Sequence, residues 1–211
     1  RERHGWEVDT KWLTYIPGIV KGIAMAINAL TDKDEKIIIQ PPVYHPFRIV
    51  PEGLGRELVY NPLKENPDGS YSMDFDNLAE VYDDKCRMLI LSNPHNPAGI
   101  VWPRETLEKL AEFCHRHGII VVSDEIHCDM ALKGYKHIPF ATACEGAKER
   151  CITFMAASKT FNIAGLKSSY HIIQNEELRK QYHEFLRKSE LDTAHLFATG
   201  PVATAYNEGD E

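Results

Sequence analysis

Apolar residues recur along the chain with two periods, and the alternation between them predicts its elements. Short apolar runs at Lys36 to Gln40, Arg56 to Tyr60, Arg87 to Leu91, Ile119 to Val122 and Cys151 to Met155 have the length of strands, and Trp12 to Ile16 and Ser169 to Ile173 predict two more. Ile119 to Val122 is almost wholly apolar, the pattern of a parallel strand covered on both faces. Ile23, Ala24, Ile27 and Leu30 repeat at helical spacing, as do Leu107, Leu110, Ala111 and Cys114, and then Leu178, Tyr182, Phe185 and Leu186. A short helix is expected around Phe75 to Val81 and a last one over Leu191 to Tyr206. The helix opened by Pro103 stops near His117-Gly118, since proline suits a first helical turn and glycine the position past the last. Strands alternating with helices predict an α/β fold of three layers, a mostly parallel sheet with helices on both faces and right-handed crossovers. No internal repeat, low-complexity tract or flexible linker interrupts the pattern, so one continuous domain is expected.

The breaks in the pattern carry the candidate chemistry. After the apolar run Cys151 to Met155 comes Ala156-Ala157-Ser158-Lys159-Thr160-Phe161-Asn162-Ile163-Ala164-Gly165-Leu166, which puts Lys159 just past a strand's carboxyl end, where open α/β sheets bind ligands. Hemmed in by Phe161, Ile163 and Leu166, its amine is expected to be partly desolvated, which favours the neutral form and a Schiff base with an aldehyde. A solvated surface charge is the plain alternative. Gly18-Ile19-Val20 opens a helix whose free N–H groups suit a phosphate, or is simply a tight strand-to-helix turn. Pro41-Pro42-Val43-Tyr44-His45-Pro46-Phe47 is a stiff segment that continues neither a helix nor a central strand; Tyr44 either lies against a planar ligand or caps the core with Phe47. Ser92-Asn93-Pro94-His95-Asn96-Pro97-Ala98-Gly99 is a strongly constrained loop, and Asn66-Pro67-Asp68-Gly69 a polar turn. Ser123-Asp124-Glu125-Ile126-His127 brings two acids and an imidazole to a further strand end; His127 with Asp129 lacks the His-x-x-x-His spacing of a metal helix, and no metal is expected there.

Composition narrows the partners. Across 211 residues the net charge is −7, and no Lys/Arg run interleaved with aromatics appears, which argues against a nucleic-acid surface. The five cysteines form no CxxC pair, and their apolar settings fit buried thiols in a reducing compartment, with the cytoplasm as the expected address. No apolar run reaches the roughly 20 residues of a membrane helix, and no signal peptide opens the chain. A start at Arg1 and an end at Asn207-Glu208-Gly209-Asp210-Glu211 are what a piece of a longer protein would show.

Five clusters thus fall on one expected rim: Gly18-Ile19-Val20, Tyr44, Asn96, Asp124 and Lys159. The set resembles the large domain of fold-type-I pyridoxal 5′-phosphate (PLP) enzymes of the class I/II aminotransferase superfamily. The loops Pro42-Val43-Tyr44-His45-Pro46-Phe47, Asn93-Pro94-His95-Asn96-Pro97, Ser123-Asp124-Glu125-Ile126-His127 and Ser158-Lys159-Thr160-Phe161-Asn162-Ile163 look most like those of MalY/PatB-type cystathionine β-lyases, or C–S lyases, in the family's order over nearly the whole chain.

The resemblance implies roles for single residues. Lys159 would hold PLP covalently and, once released, carry the substrate's Cα proton; Asp124 would face the pyridine nitrogen; Tyr44 would stack on the ring; Asn96 would donate to the phenolic oxygen. Backbone N–H groups of Gly18, Ile19 and Val20, helped by Ser158, would hold the phosphate. Two positions depart from the family pattern. Lys167 stands where many relatives have a forked arginine for the phosphate, and His127 stands where the wider superfamily has tyrosine. The implied reaction is β-elimination from cystathionine or cysteine S-conjugates, giving pyruvate, ammonia and a thiol such as homocysteine. An aminotransferase with the same machinery, or a non-catalytic regulatory relative, is the alternative. The implied organisation is a PLP-binding large domain over 1–190, with 191–211 leading toward a small domain that supplies the arginine for the substrate carboxylate. Arg187 is not assigned that task. A homodimer is expected by the same resemblance.

Overall fold

Side chains of consecutive strand residues face opposite ways, and this alternation divides the core in two. The computed structural model describes residues 3–209; Arg1, Glu2, Asp210 and Glu211 lie outside the described residues. In chain order the elements are β1 (Leu13–Ile16), α1 (Ile19–Leu30), β2 (Lys36–Ile39), α2 (Pro46–Gly53), β3 (Glu57–Tyr60), β4 (Lys64–Glu65), β5 (Tyr71–Ser72), α3 (Phe75–Val81), β6 (Cys86–Ser92), α4 (Arg104–Arg116), β7 (Ile120–Asp124), β8 (Cys151–Met155), β9 (Ser169–Ile172), α5 (Glu176–Lys188) and α6 (Thr199–Glu208). Ile37, Ile39, Met88, Ile90, Ile120, Val122, Ile152 and Phe154 pack with α1, α2 and α5. Ile38, Leu89, Leu91, Val121, Cys151 and Met155 pack with α3, α4 and Trp102 on the other side. The expected three layers are therefore present.

The main sheet has the order β1-β9-β8-β7-β6-β2-β3, and β4-β5 form a separate hairpin around the Asn66 to Gly69 turn. β8, β7, β6, β2 and β3 are mutually parallel, while β9 runs antiparallel to both β8 and β1. The reason for the reversal is the connection 156–168. It turns back at the rim where β8 ends instead of crossing the sheet, so the chain re-enters from that same rim. Among the described residues no helix is long and apolar enough to cross a membrane. All five cysteines are free, four of them buried and Cys144 half-buried.

Local chemistry sets the helix starts. Asp74 accepts from the Asn77 N–H at 2.9 Å to cap α3, and Asn175 accepts from the Leu178 N–H at 2.9 Å to cap α5. Two expectations needed correction. The stiff Pro41 to Phe47 segment does end in a helix, α2, because Pro46 occupies a first-turn position that tolerates proline. The last helix is α6, not Leu191 to Tyr206: residues 191–198 are not helical, and α6 itself buries no side chain. Leu196 and Phe197, inside the expected helix, are 83% and 74% exposed.

Helix α1 lies close on the sheet because Gly22 lacks a side chain. A Cβ there would sit 2.5 Å from Ile16 Cδ1 and 3.0 Å from Phe154 Cε1, and the Tyr182 hydroxyl donates to the Gly22 carbonyl at 3.1 Å. Replacing Gly22 by valine is expected to lower the urea-unfolding free energy by about 1–3 kcal/mol through overpacking. Unchanged stability would show that α1 can lift off the sheet freely.

Candidate active site

The carboxyl ends of β6 and β7 meet at this rim. Ser92 and Asp124 are register partners, and the Asn93 N–H donates to the Asp124 carbonyl at 2.9 Å, so the two strands end together. Beyond them lies a cavity of about 150 Å³. Seven of the expected residues line it: Ile19, Val20, Tyr44, Asn96, Asp124, His127 and Lys159. They come from the start of α1, the segment before α2, and the loops after β6, β7 and β8.

Asp124 is 7% exposed, and the Ile126 N–H donates to its Oδ1 at 3.1 Å. Burial pushes its carboxyl up to about 7; the Ile126 N–H and the Lys159 charge pull down, and the neighbouring Glu125 adds to the rise. Burial, helped by the Lys159 charge, pushes His127 below its ordinary value, so its ring is neutral at pH 7. Glu125 faces away from the cavity. Its Oε1 accepts from the Ser123 hydroxyl at 2.8 Å and the Phe140 N–H at 2.9 Å, and its Oε2 lies 2.8 Å from His137 Nε2, all in the core. Consecutive acids at one strand end thus face different surroundings.

Tyr44 packs on the core, as one of its two readings had it, and also faces the cavity. It meets Phe47 edge-on, with centroids 6.0 Å apart. At the start of α1, Gly18 has φ 108°, a conformation open to glycine, and the helix has no side-chain cap. The Gly18 N–H itself donates to the Ile16 carbonyl at 2.9 Å, which corrects the expectation that all three of Gly18, Ile19 and Val20 offer free donors. The cavity is reached by Ile19 and Val20.

Lys159 also departs from expectation. Its side chain is exposed and Phe161, Ile163 and Leu166 are only half-buried, because the loop after β8 lies over the rim with solvent beside it. Ser158 and Lys167 do not line the cavity. Lys167 is exposed and sits in the left-handed region, φ 52°, at the end of the short turn Ala164–Leu166. Arg187 belongs to a different group, with Arg179 and His183. His127 and Asp129 part company: His127 lines the cavity, whereas Asp129 Oδ1 pairs with His4 Nε2 at 2.9 Å. Two lining residues escaped the sequence reading, Ser92 and Ile126. A polar residue ending the apolar run Met88 to Leu91 was the signal for Ser92. Ile126 contributes a backbone N–H, which no side-chain pattern reports.

The sequence model for class I and II aminotransferases matches residues 2–205. The chain belongs to that family. It is 42% identical over 99% of its length to cystathionine beta-lyase PatB of Bacillus subtilis, of which it covers 54%. Among solved structures, the PLP-bound C-S lyase from Staphylococcus hominis superposes with a TM-score of 0.91 at 36% identity, covering 99% of this chain and 52% of that one. Cystalysin from Treponema denticola, which contains PLP, gives 0.95 at 31% identity over 99% of this chain and 53% of its own. The aminotransferase-family chain thus spans about half the length of the relatives it matches.

The raised Asp124 carboxyl has a consequence for stability. Folded Asp124 keeps its proton up to about 7, whereas its ordinary value is 3.8, so between these values the folded state binds more protons and stability falls as pH rises. Above that window the loss is complete and constant. In ligand-free protein, Asp124→Asn is expected to remove this decline, seen as unfolding free energies of wild type and variant that diverge from pH 4 to pH 7. Parallel curves would contradict the assignment.

Proposed function

We propose that the protein is a PLP-dependent C–S β-lyase that cleaves cystathionine or cysteine S-conjugates to pyruvate, ammonia and a thiol, homocysteine in the case of cystathionine. The observation that carries the reading is that one cavity gathers Lys159, Asp124, Tyr44 and Asn96 in a chain 42% identical to a named cystathionine β-lyase. The donor set suits the cofactor. A buried carboxyl that shares its cavity with an amine is a place for a cationic ring nitrogen, and the uncapped start of α1 is a place for a phosphate.

When bound, PLP supplies an electron sink for negative charge developing at the substrate's Cα. Asp124 would pair its carboxylate with the protonated ring nitrogen, and its exclusion from water would strengthen that pair. Tyr44 would cover the ring and Asn96 would donate to its phenolic oxygen. Ile19 and Val20 would offer main-chain N–H groups to the phosphate, whereas Ser158 and Lys167 do not line the cavity. Lys159, which lines the cavity, would hold the aldehyde end, and its Nζ is the base that would carry the Cα proton. Neutral His127 stands beside Asn96 and Lys159 in the cavity, a donor or acceptor by tautomer.

Coverage of about half the relatives' length supports reading 1–190 as the cofactor-binding large domain and 191–211 as the path to a small domain. The exposure of Lys159 fits the same reading, since further segments would complete its surroundings. A homodimer in the cytoplasm accompanies the proposal, the free thiols supporting the address.

Adding PLP to the protein is expected to give a visible band that borohydride reduces onto the lysine; cystathionine is expected to yield pyruvate and ammonia without added keto acid from the full-length protein, and far more slowly from residues 1–211 alone. Lys159→Ala should lose the band and lower pyruvate release about a hundredfold or more. A variant that keeps both would refute the role of Lys159, and release of product only with a keto acid would favour a transaminase.

A further inference from the structure

On the reading just given, Asn96 works by where it is held, and the structure assigns that holding to Ser92. Ser92 ends β6, is 5% exposed, pairs in register with Asp124 and lines the cavity. Its hydroxyl accepts the Asn96 N–H at 3.0 Å and donates to the Pro94 carbonyl at 3.2 Å. A serine hydroxyl has a single proton, and here it is committed to Pro94, so Ser92 has none to give to a bound group. It acts on the site through the loop instead.

The rest of Ser92 is anchored as firmly. Its carbonyl accepts the indole N–H of Trp102 at 2.9 Å, and Trp102 is 2% exposed. The following residue, Asn93, donates its N–H to the Asp124 carbonyl at 2.9 Å and its side-chain amide to the Ile138 carbonyl at 2.9 Å. One strand end is therefore fixed to the core through Trp102, to Asp124 through the register, and to Asn96 through the hydroxyl. Asn96 and Asp124 address two atoms of the same ring in the proposed function, so the Ser92 hydroxyl sets their separation. Ser92 is a positioning residue: removing its oxygen leaves the Asn96 N–H without its acceptor in a segment where Pro94 and Pro97 have no N–H to rearrange.

The test uses amide hydrogen exchange of Asn96 and the PLP dissociation constant from the visible band, in wild type, Ser92→Ala, Ser92→Thr, Asn96→Ala and the Ser92→Ala/Asn96→Ala double variant. Ser92→Ala is expected to speed Asn96 amide exchange about tenfold and weaken PLP about fivefold, with no further weakening when Asn96 is already alanine. Threonine, which keeps the hydroxyl, should restore Asn96 protection. Unchanged Asn96 exchange in Ser92→Ala, or an equal loss of affinity in the Asn96→Ala background, would overturn the assignment. A wild-type protein without a PLP band counts against the proposed function alone, because Asn96 exchange still decides the part played by Ser92.

Discussion

A carboxyl group held out of water at the end of a strand is the constraint on which this site rests. Asp124 closes β7, which is flanked by β6 and β8 and covered by helices on both faces, so solvent reaches it only from the rim. Burying a carboxylate without a partner is costly, and the group answers by holding its proton to about 7. At neutral pH it is poised between forms. Such a group gains most from a cation brought beside it, which is what the proposed ring nitrogen would provide.

The sheet decides what surrounds that carboxyl. Because β6 and β7 end in register, the loop carrying Asn96 leaves from beside Asp124, and the backbone of Asn93 closes the gap between the strands. Because β9 re-enters from the rim where β8 ends, the Lys159 loop stays over the cavity and does not cross the sheet. Alternation sends Glu125 the other way, where His137, Ser123 and the Phe140 N–H take up both of its oxygens. One acid therefore holds the loop 137–140 and the other stays at the cavity.

Much of this could be read from the sequence, because it depends on periodicity and on side-chain identity. The apolar run before Asp124 and the helical spacing from Ile23 to Leu30 each report a buried face, and α1, α4, β7 and β8 lie close to where they were expected. The resemblance supplied the grouping of Tyr44, Asn96, Asp124 and Lys159 that no single motif could. What escaped depends on long-range geometry. The spending of the Gly18 N–H on Ile16 and the donation by the Ile126 N–H are backbone matters. The exposure of Lys159 depends on what lies opposite its loop, while Phe161, Ile163 and Leu166 are neighbours in sequence that give it little cover. Helix α6 carries apolar residues without a core to face, so its start could not be read from their spacing.

The central claim is that the Asp124 carboxyl is kept for a cationic ring. Selective carbon-13 labelling of aspartate, with the Asp124 resonance assigned by its loss in Asp124→Asn, would follow its ionisation directly without and with PLP. The account expects a midpoint near 7 in the free protein, falling well below the ordinary carboxylate range once PLP is bound. A midpoint that stays in place when PLP binds would contradict it.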